Sequence, residues 1–248
     1  SQSYVTTLSV AILIQQACQS PVPMIYYNSS EDTVRSMISQ KLDPMIDACS
    51  VARTVFSSKR STDGTNSDKQ KSGVGFILYL RSASTPNSMS GITAKIIVCD
   101  ELARYQQTKE GDSYDLILRR ATTFRGNGAK ILSFTTPLDS EDYVLKKSAN
   151  ATKYTRKTKC PSCGKFEALV IEGLVYLCPF TAEYRKIIDT DLRGDQSSLI
   201  DEVFYEFSCC KHRINDTQRI LLNNSDEDTQ WFVTKKGEAK KVCFDITY

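Results

Sequence analysis

The sequence predicts an α/β fold, a mostly parallel sheet flanked by helices, with a small cysteine-rich appendage after it. Three observations carry that reading. Short continuous apolar runs of strand length alternate with helix-like segments, as in βα units whose sheet is buried on both faces. The polar residues at the ends of those runs stand where open parallel sheets bind ligands, beyond the carboxyl ends of the strands. Six of the nine cysteines, from Cys160 onward, lie in a region where the alternation has ceased.

Each element follows from local chemistry. Residues 6–19 (TTLSVAILIQQACQ) read as a buried helix that Pro21 and Pro23 end. Met24-Ile25-Tyr26-Tyr27 is a β-prone run closed by Asn28-Ser29-Ser30. Ser30, with Glu31 and Asp32 in the first turn, starts a helix where the macrodipole favours acids, and Val34, Met37, Ile38, Leu42 and Met45 continue it to about Ala48. Residues 57–73 are polar and loop-like. Residues 75–81 (GFILYLR) form a strand, and Ile96-Ile97-Val98-Cys99 a second that ends at Asp100-Glu101. Residues 114–124 are helical, Gly126-Asn127-Gly128 turns, and residues 130–135 (KILSFT) make a further strand. The pattern stops near residue 140, so we divide the chain into 1–145 and 146–248.

Composition limits the function. A chain 40% hydrophobic and 25% charged can bury a core. A net charge of +3 is too mild to establish a nucleic-acid partner by itself. No apolar run approaches the roughly 18 residues of a membrane span, and Ser1-Gln2-Ser3-Tyr4 does not begin a signal peptide. An odd cysteine count argues for a reducing compartment over a disulfide framework. Cys18, Cys49 and Cys99, each in apolar surroundings, read as buried small hydrophobes.

Four apolar residues followed by Asp-Glu form the pattern of a Walker B strand. That chemistry needs one carboxylate near a phosphate-bound Mg²⁺ and a second to orient water, roles for Asp100 and Glu101. A solvated strand end before a capped turn reads the same way. Thr135-Thr136-Pro137 ends the next strand, where hydroxyls can sense a γ-phosphate. Cys160-Pro161-Ser162-Cys163-Gly164 is a knuckle with two thiolates at C-x-x-C spacing, and Cys209-x-x-His212, with the single histidine, repeats the spacing. Two such pairs satisfy tetrahedral zinc and leave no open position, so the metal reads as structural. Cys178 and Cys210 are spare thiols, either able to replace one of the four. Lys153-Tyr154-Thr155-Arg156-Lys157-Thr158-Lys159 reads as a solvated linker or a phosphate contact.

Residues 95–137 resemble the large terminase subunit of lambda-like tailed phages, the DNA-packaging ATPase. The shared features, in order, are Asp100-Glu101, Arg104, Glu110-Gly111-Asp112, a helix with Arg120 and Phe124, and Thr136-Pro137. The likeness runs upstream through PVPMIYYNSSEDTVRSMISQKLDPMI and downstream into the cysteines, where Trp231 follows the second pair. It implies a P-loop NTPase-like core over 1–145, and over 146–248 a zinc-ribbon region leading towards a nuclease domain. It implies ATP, Mg²⁺ and Zn²⁺ as cofactors, with Asp100, Glu101 and Arg120 catalytic. Gln2, Thr6, Thr7, Asp100, Thr135 and Thr136 would serve the nucleotide, and Cys160, Cys163, Cys209 and His212 the zinc. The implied partners are double-stranded viral DNA, a portal protein, a small terminase subunit and further copies in a homo-oligomeric ring, in host cytoplasm with no membrane. The phosphate loop departs from the family: no glycine occurs in the first 63 residues and no lysine before Lys41. Three readings stay open: a fragment whose loop lysine precedes Ser1, a catalytically silent zinc module that docks DNA or a packaging partner, and a split piece completed by another polypeptide.

Overall fold

The chain enters its fold through α1 (Gln2–Gln19), in a computed structural model that describes residues 2–57, 67–135, 143–178, 181–187 and 202–245. Val10, Leu13, Ile14 and Ala17 recur at helical spacing and are all buried, giving α1 one apolar stripe. After the prolines come β1 (Met24–Asn28) and α2 (Glu31–Met37), which Ser30 caps reciprocally with Thr33. A π-helical turn, Ile38–Leu42, joins α2 to α3 (Asp43–Ala48). Pro44 explains the wide turn, because its ring has no N–H to donate and crowds the carbonyl of Gln40. α4 (Ser50–Val55) precedes β2 (Gln70–Gly73) and β3 (Phe76–Ser82), which pair antiparallel. Gly75 permits their tight connection with φ +81°. Next come β4 (Ile96–Asp100), a 3₁₀ turn at Leu102–Arg104, and a hairpin of β5 (Gln107–Thr108) and β6 (Gly111–Asp112). α5 (Ser113–Leu118), capped by Asp112, runs into a 3₁₀ segment at Arg119–Phe124 before β7 (Lys130–Phe134).

The strand order is β2-β3-β1-β4-β7. All neighbours are parallel except the edge pair β2 and β3. Asn28 aligns with Ser82, and Asp100 with Phe134, so the strands end along one carboxyl edge. Alternate residues face opposite ways. Met24, Tyr26, Ile96 and Val98 pack with α1 to α4 in one cluster. Ile25, Tyr27, Ile97 and Cys99 pack with Leu116, Ile117 and Ala121 in another. Helices therefore cover both faces. Because α1 leads straight into β1, it lies antiparallel to the strands and its amino end points towards the carboxyl edge.

Two expectations need correction here. Residues 70–73, assigned to a loop, are a strand: Lys71 is buried and extends to the half-buried Asp43 at 3.1 Å. Residues 58–66 of that stretch lie outside the described residues. Of the three single cysteines, Cys99 is buried, Cys18 is half-buried and Cys49 is exposed, since Cys49 falls in the break between α3 and α4.

Residues Ser1–Lys146 form one compact unit and Lys147–Tyr248 a second. The short α6 (Tyr143–Lys147) stands at the division. In the second unit β8 (Ala151–Lys159) is the central strand of a four-stranded sheet. Its neighbours are β14 (Thr229–Lys235), antiparallel, and β15 (Glu238–Asp245), parallel, while β9 (Phe166–Glu167) pairs with its end. A separate antiparallel sheet has the order β11-β10-β12-β13, from β10 (Leu174–Leu177), β11 (Tyr184–Lys186), β12 (Val203–Glu206) and β13 (Arg213–Asn215). α7 (Asp216–Asn224) follows, held by a capping box between Asn215 and Gln218. Residues 153–159, expected as a solvated linker or a phosphate contact, are thus the centre of a sheet. No helix among the described residues is long and apolar enough to cross a membrane.

Candidate functional site

At the carboxyl edge of the first sheet, Asp100 ends β4 and is only 2% exposed. A buried carboxylate must be satisfied by hydrogen bonds. Tyr26 donates its hydroxyl to Oδ2 at 2.9 Å, and the Glu101 backbone N–H donates to Oδ1 at 3.1 Å. Asn28 in turn donates to the Tyr26 hydroxyl at 3.0 Å. Burial, then the charge of Asp100, pushes the Tyr26 phenol above its ordinary range, so it stays a donor.

Glu101 occupies the left-handed region, φ 56° and ψ 40°, a strained position for a residue with a Cβ. The turn swings its side chain to the sheet edge, where Ser29 Oγ donates to Oε2 at 3.4 Å and Arg104 Nε lies 3.8 Å away. Across the edge, Thr135 Oγ1 accepts the Ala103 N–H at 3.0 Å, tying the end of β7 to the turn that carries Glu101. A change at Thr135 therefore has a direct mechanical route to the acidic pair.

The other expected nucleotide residues are less converged. Gln2 is the first residue of α1, and Thr6 and Thr7 stand in its early turns. Thr7 Oγ1 accepts from Lys41 Nζ at 3.0 Å. Thr136 lies outside the described residues. The Arg120 carbonyl accepts the Ala94 N–H at 3.1 Å, near the amino end of β4, its Nε donates to Leu116 O at 3.4 Å, and its charge acts on the Tyr27 hydroxyl.

The cysteines converge elsewhere, within the second unit. Sγ atoms of Cys160, Cys163, Cys209 and Cys210 lie within 4.8 Å of one another. Cys160 and Cys210 are 3.5 Å apart, Cys163 and Cys209 3.2 Å, and Cys209 and Cys210 3.9 Å. Four thiolates around zinc, each about 2.3 Å from it, stand about 3.8 Å apart; the donor set fits a tetrahedral ion. The Lys165 backbone N–H, then Cys209, draw the Cys163 thiol down to about 7, which favours the ligating thiolate. Burial raises Cys160.

Here Cys210 replaces the expected His212, and backbone geometry supplies the reason. In the first knuckle the Cys160 N–H donates to Lys165 O and the Gly164 N–H to Cys160 O, with Gly164 at φ +73°. The second repeats this: the Phe207 N–H donates to His212 O and the Lys211 N–H to Phe207 O, with Lys211 at φ +62°. Superposed by these bonds, Cys210 matches Cys163 and His212 matches Lys165, a position that closes the turn outside the ligand set. Phe207 stands at the place of Cys160 and is fully buried; Cys209, two residues on, supplies the remaining sulfur. A third turn of this kind joins Cys178 to Glu183 and Ala182, with Ala182 at φ +54°. Thr181 occupies its fourth position, and Cys178 stays out of the cluster.

Sequence reasoning missed several partners. Tyr26, Asn28 and Ser29 were read only as strand and turn, although their order (YYNS) puts two polar groups at a strand end beside the acidic pair. Glu167 was not singled out. It accepts from the Ser208 N–H at 2.9 Å, the Ser208 hydroxyl at 2.7 Å and the Cys209 N–H at 3.2 Å, and so holds the turn that presents Cys209.

No curated protein matches the chain. Among solved structures it is similar to the HK97 bacteriophage large terminase, 14% identical over 58% of this chain and 30% of that one, with TM-score 0.44. It is also similar to the Thermus phage P74-26 large terminase ATPase domain, 13% identical over 54% of this chain and 56% of that one, with TM-score 0.34. The chain thus spans about a third of the HK97 protein. The family model for the phage terminase large subunit gpA, ATPase domain, matches residues 1–222; the chain belongs to that family.

Proposed function

We propose that this chain is the ATPase portion of a viral DNA-packaging motor, coupling ATP hydrolysis to translocation of double-stranded DNA into a capsid. The observation that carries the reading is the Asp100-Glu101 pair, held at the carboxyl edge by Tyr26 and Ser29 and tied to Thr135 through Ala103, in a chain of the terminase family. Asp100 would help hold the Mg²⁺ that accompanies ATP. Glu101 orients a water and accepts its proton as the oxygen bonds the γ-phosphorus and the bond to ADP breaks. Thr135 and Thr136 sense loss of the γ-phosphate, and the Ala103 link carries that change to the Glu101 turn. Gln2, Thr6 and Thr7, at the start of α1, bind the phosphate side of the nucleotide, where helix dipoles favour anions. Arg120 would stabilise the charge of the transferred phosphoryl group, in its own subunit or a neighbouring one.

Residues 1–145 would form the motor core and 146–248 the zinc-bearing region. There Cys160, Cys163, Cys209 and Cys210 would hold a structural zinc, which would cross-link two turns. DNA, portal protein and small terminase subunit are the proposed partners, with assembly in host cytoplasm. The test is steady-state ATP hydrolysis by the full-length gene product. Replacing Glu101 by Ala is expected to lower turnover about 10²- to 10⁴-fold, as for removal of a general base, while nucleotide binding persists. Unchanged turnover in that variant would sink the proposal. The lack of a lysine before Lys41 favours a second reading, a silent module that docks DNA or a packaging partner; absence of hydrolysis in the full-length protein supports it.

A further inference from the structure

We propose, on the ATPase reading above, that Asn28 is a positioning residue that fixes Asp100 and Glu101 relative to each other. Asn28 ends β1 and is 4% exposed. Its backbone is held on both sides. The Asn28 carbonyl accepts the Ala83 N–H at 2.8 Å, and Ser30, two residues on, caps α2. An asparagine that only closed a turn would bond neighbouring backbone. Asn28 also bonds two side chains, Tyr26 and Ser29, and each of these touches one carboxylate at the end of β4.

Donor chemistry fixes the direction of every bond. The Ser29 backbone N–H can only donate, and it lies 2.6 Å from Asn28 Oδ1. The amide nitrogen therefore faces the Tyr26 oxygen, at 3.0 Å. That nitrogen is itself a donor, so the phenol proton goes to Asp100 Oδ2 at 2.9 Å. On the other arm the Ser29 hydroxyl has one proton and two acceptors, Asn28 Oδ1 at 3.2 Å and Glu101 Oε2 at 3.4 Å. Oδ1 is already served by the N–H, and a carboxylate is the stronger acceptor, so the proton goes to Glu101. The Glu101 N–H, donating to Asp100 Oδ1 at 3.1 Å, closes the ring. One lone pair on each Asp100 oxygen is thus occupied, and the other is left for the Mg²⁺ shell. Loss of Asn28 frees both arms at once: the Tyr26 proton can turn from Asp100, and the turn at Ser29 can carry its hydroxyl from Glu101.

The full-length gene product is assayed for ATP turnover, and its Mn²⁺ binding beside a non-hydrolysable ATP analogue is read by electron paramagnetic resonance. Asn28→Ala is expected to lower kcat about 10²-fold, the cost of a misplaced catalytic group. It should also weaken Mn²⁺ binding about 10- to 100-fold, the effect of losing an outer partner of a metal ligand. Ser29→Ala, which opens the Glu101 arm alone, should lower kcat and leave KM for MgATP and Mn²⁺ affinity at the parent's values. Ser29→Thr, which keeps the hydroxyl, should retain turnover. A purely structural Asn28 would lower the thermal midpoint without moving the Mn²⁺ affinity of the folded chain, and that result overturns the proposal. Where Asn28→Ala does not fold, Tyr26→Phe and Ser29→Ala, each cutting one arm, are combined. Their effects on kcat should be non-additive; additivity overturns the proposal. Hydrolysis that Glu101→Ala abolishes and Asn28→Ala keeps overturns it too, with the ATPase reading intact. No hydrolysis by the parent defeats that reading and the proposal together.

Discussion

Single atoms decide how the acidic site is held. The Tyr26 hydroxyl sits between Asn28 and Asp100, and Tyr26 is completely buried. Removing it with Tyr26→Phe strands a carboxylate oxygen and an amide donor that water cannot reach, a loss of about 1–3 kcal/mol. Urea denaturation should show that loss as a lower midpoint with an unchanged slope. A midpoint like the parent's would mean that Asp100 finds another donor. The same scale separates two ligand sets at the cysteines. Cys210→Ser is expected to abolish zinc retention by native mass spectrometry, and His212→Ala to leave one zinc per chain; the reverse pattern would restore the histidine. The sequence carried the C-x-x-C spacing of the first knuckle and the presence of a second turn. It could not carry the register of that turn. Ligand choice depends on which backbone N–H closes the loop, and Lys211 takes the left-handed position that Gly164 announces in the first.

Elements show where patterns in the chain suffice and where they fail. β1 and β4 were legible because buried parallel strands leave runs of unbroken apolar residues, and all five positions of each are buried. β8 was not, because seven of its nine residues are threonines or cations, a composition shared by linkers. Long cationic stems can cover a sheet while their charges stay in water, so the central strand of an open four-stranded sheet shows no hydrophobic alternation. β2 was hidden for a related reason. Its anchoring side chain is Lys71, which a hydrophobic pattern counts as surface, yet it reaches Asp43 on α3 at 3.1 Å with little solvent around it. Removing Asp43 leaves the buried Lys71 charge without this partner; because Asp43 is half-buried, the loss is at most about 3–5 kcal/mol. Asp43→Ala should therefore destabilise the first unit strongly, whereas Asp43→Ala with Lys71→Met should recover much of the loss. Equal thermal midpoints for the single and double variants would show that the pair contributes no such penalty.

At the scale of the whole molecule, the two units are stabilised by different means. The first buries two apolar clusters, one on each face of its sheet, rich in Leu, Ile, Val and Met. Among the described residues the second has one small cluster, Cys160, Leu169, Tyr205, Phe207 and Ile214, in which a ligand candidate is itself a core residue. A core that small rarely supplies more than a few kcal/mol. Zinc held by four thiolates can contribute about 10–16 kcal/mol of apparent binding energy at neutral pH, enough to decide whether the unit folds. Its two turns are separated by more than forty residues of chain, so a metal cross-link also removes a large loop entropy from the unfolded state. Stripping the metal with a chelator should accordingly open the second unit and leave the first intact. Limited proteolysis should then cut throughout residues 147–248 and leave a resistant fragment ending near Lys146, with the helical circular dichroism of α1 to α5 retained. Adding zinc back should restore protection, and Cys160→Ser should make the chelated pattern permanent. If the chelated chain instead resists cleavage as well as the parent, the second unit folds without its metal and the four sulfurs are a surface site. If both units are digested together, the first depends on the second for its stability, against the separation of their cores.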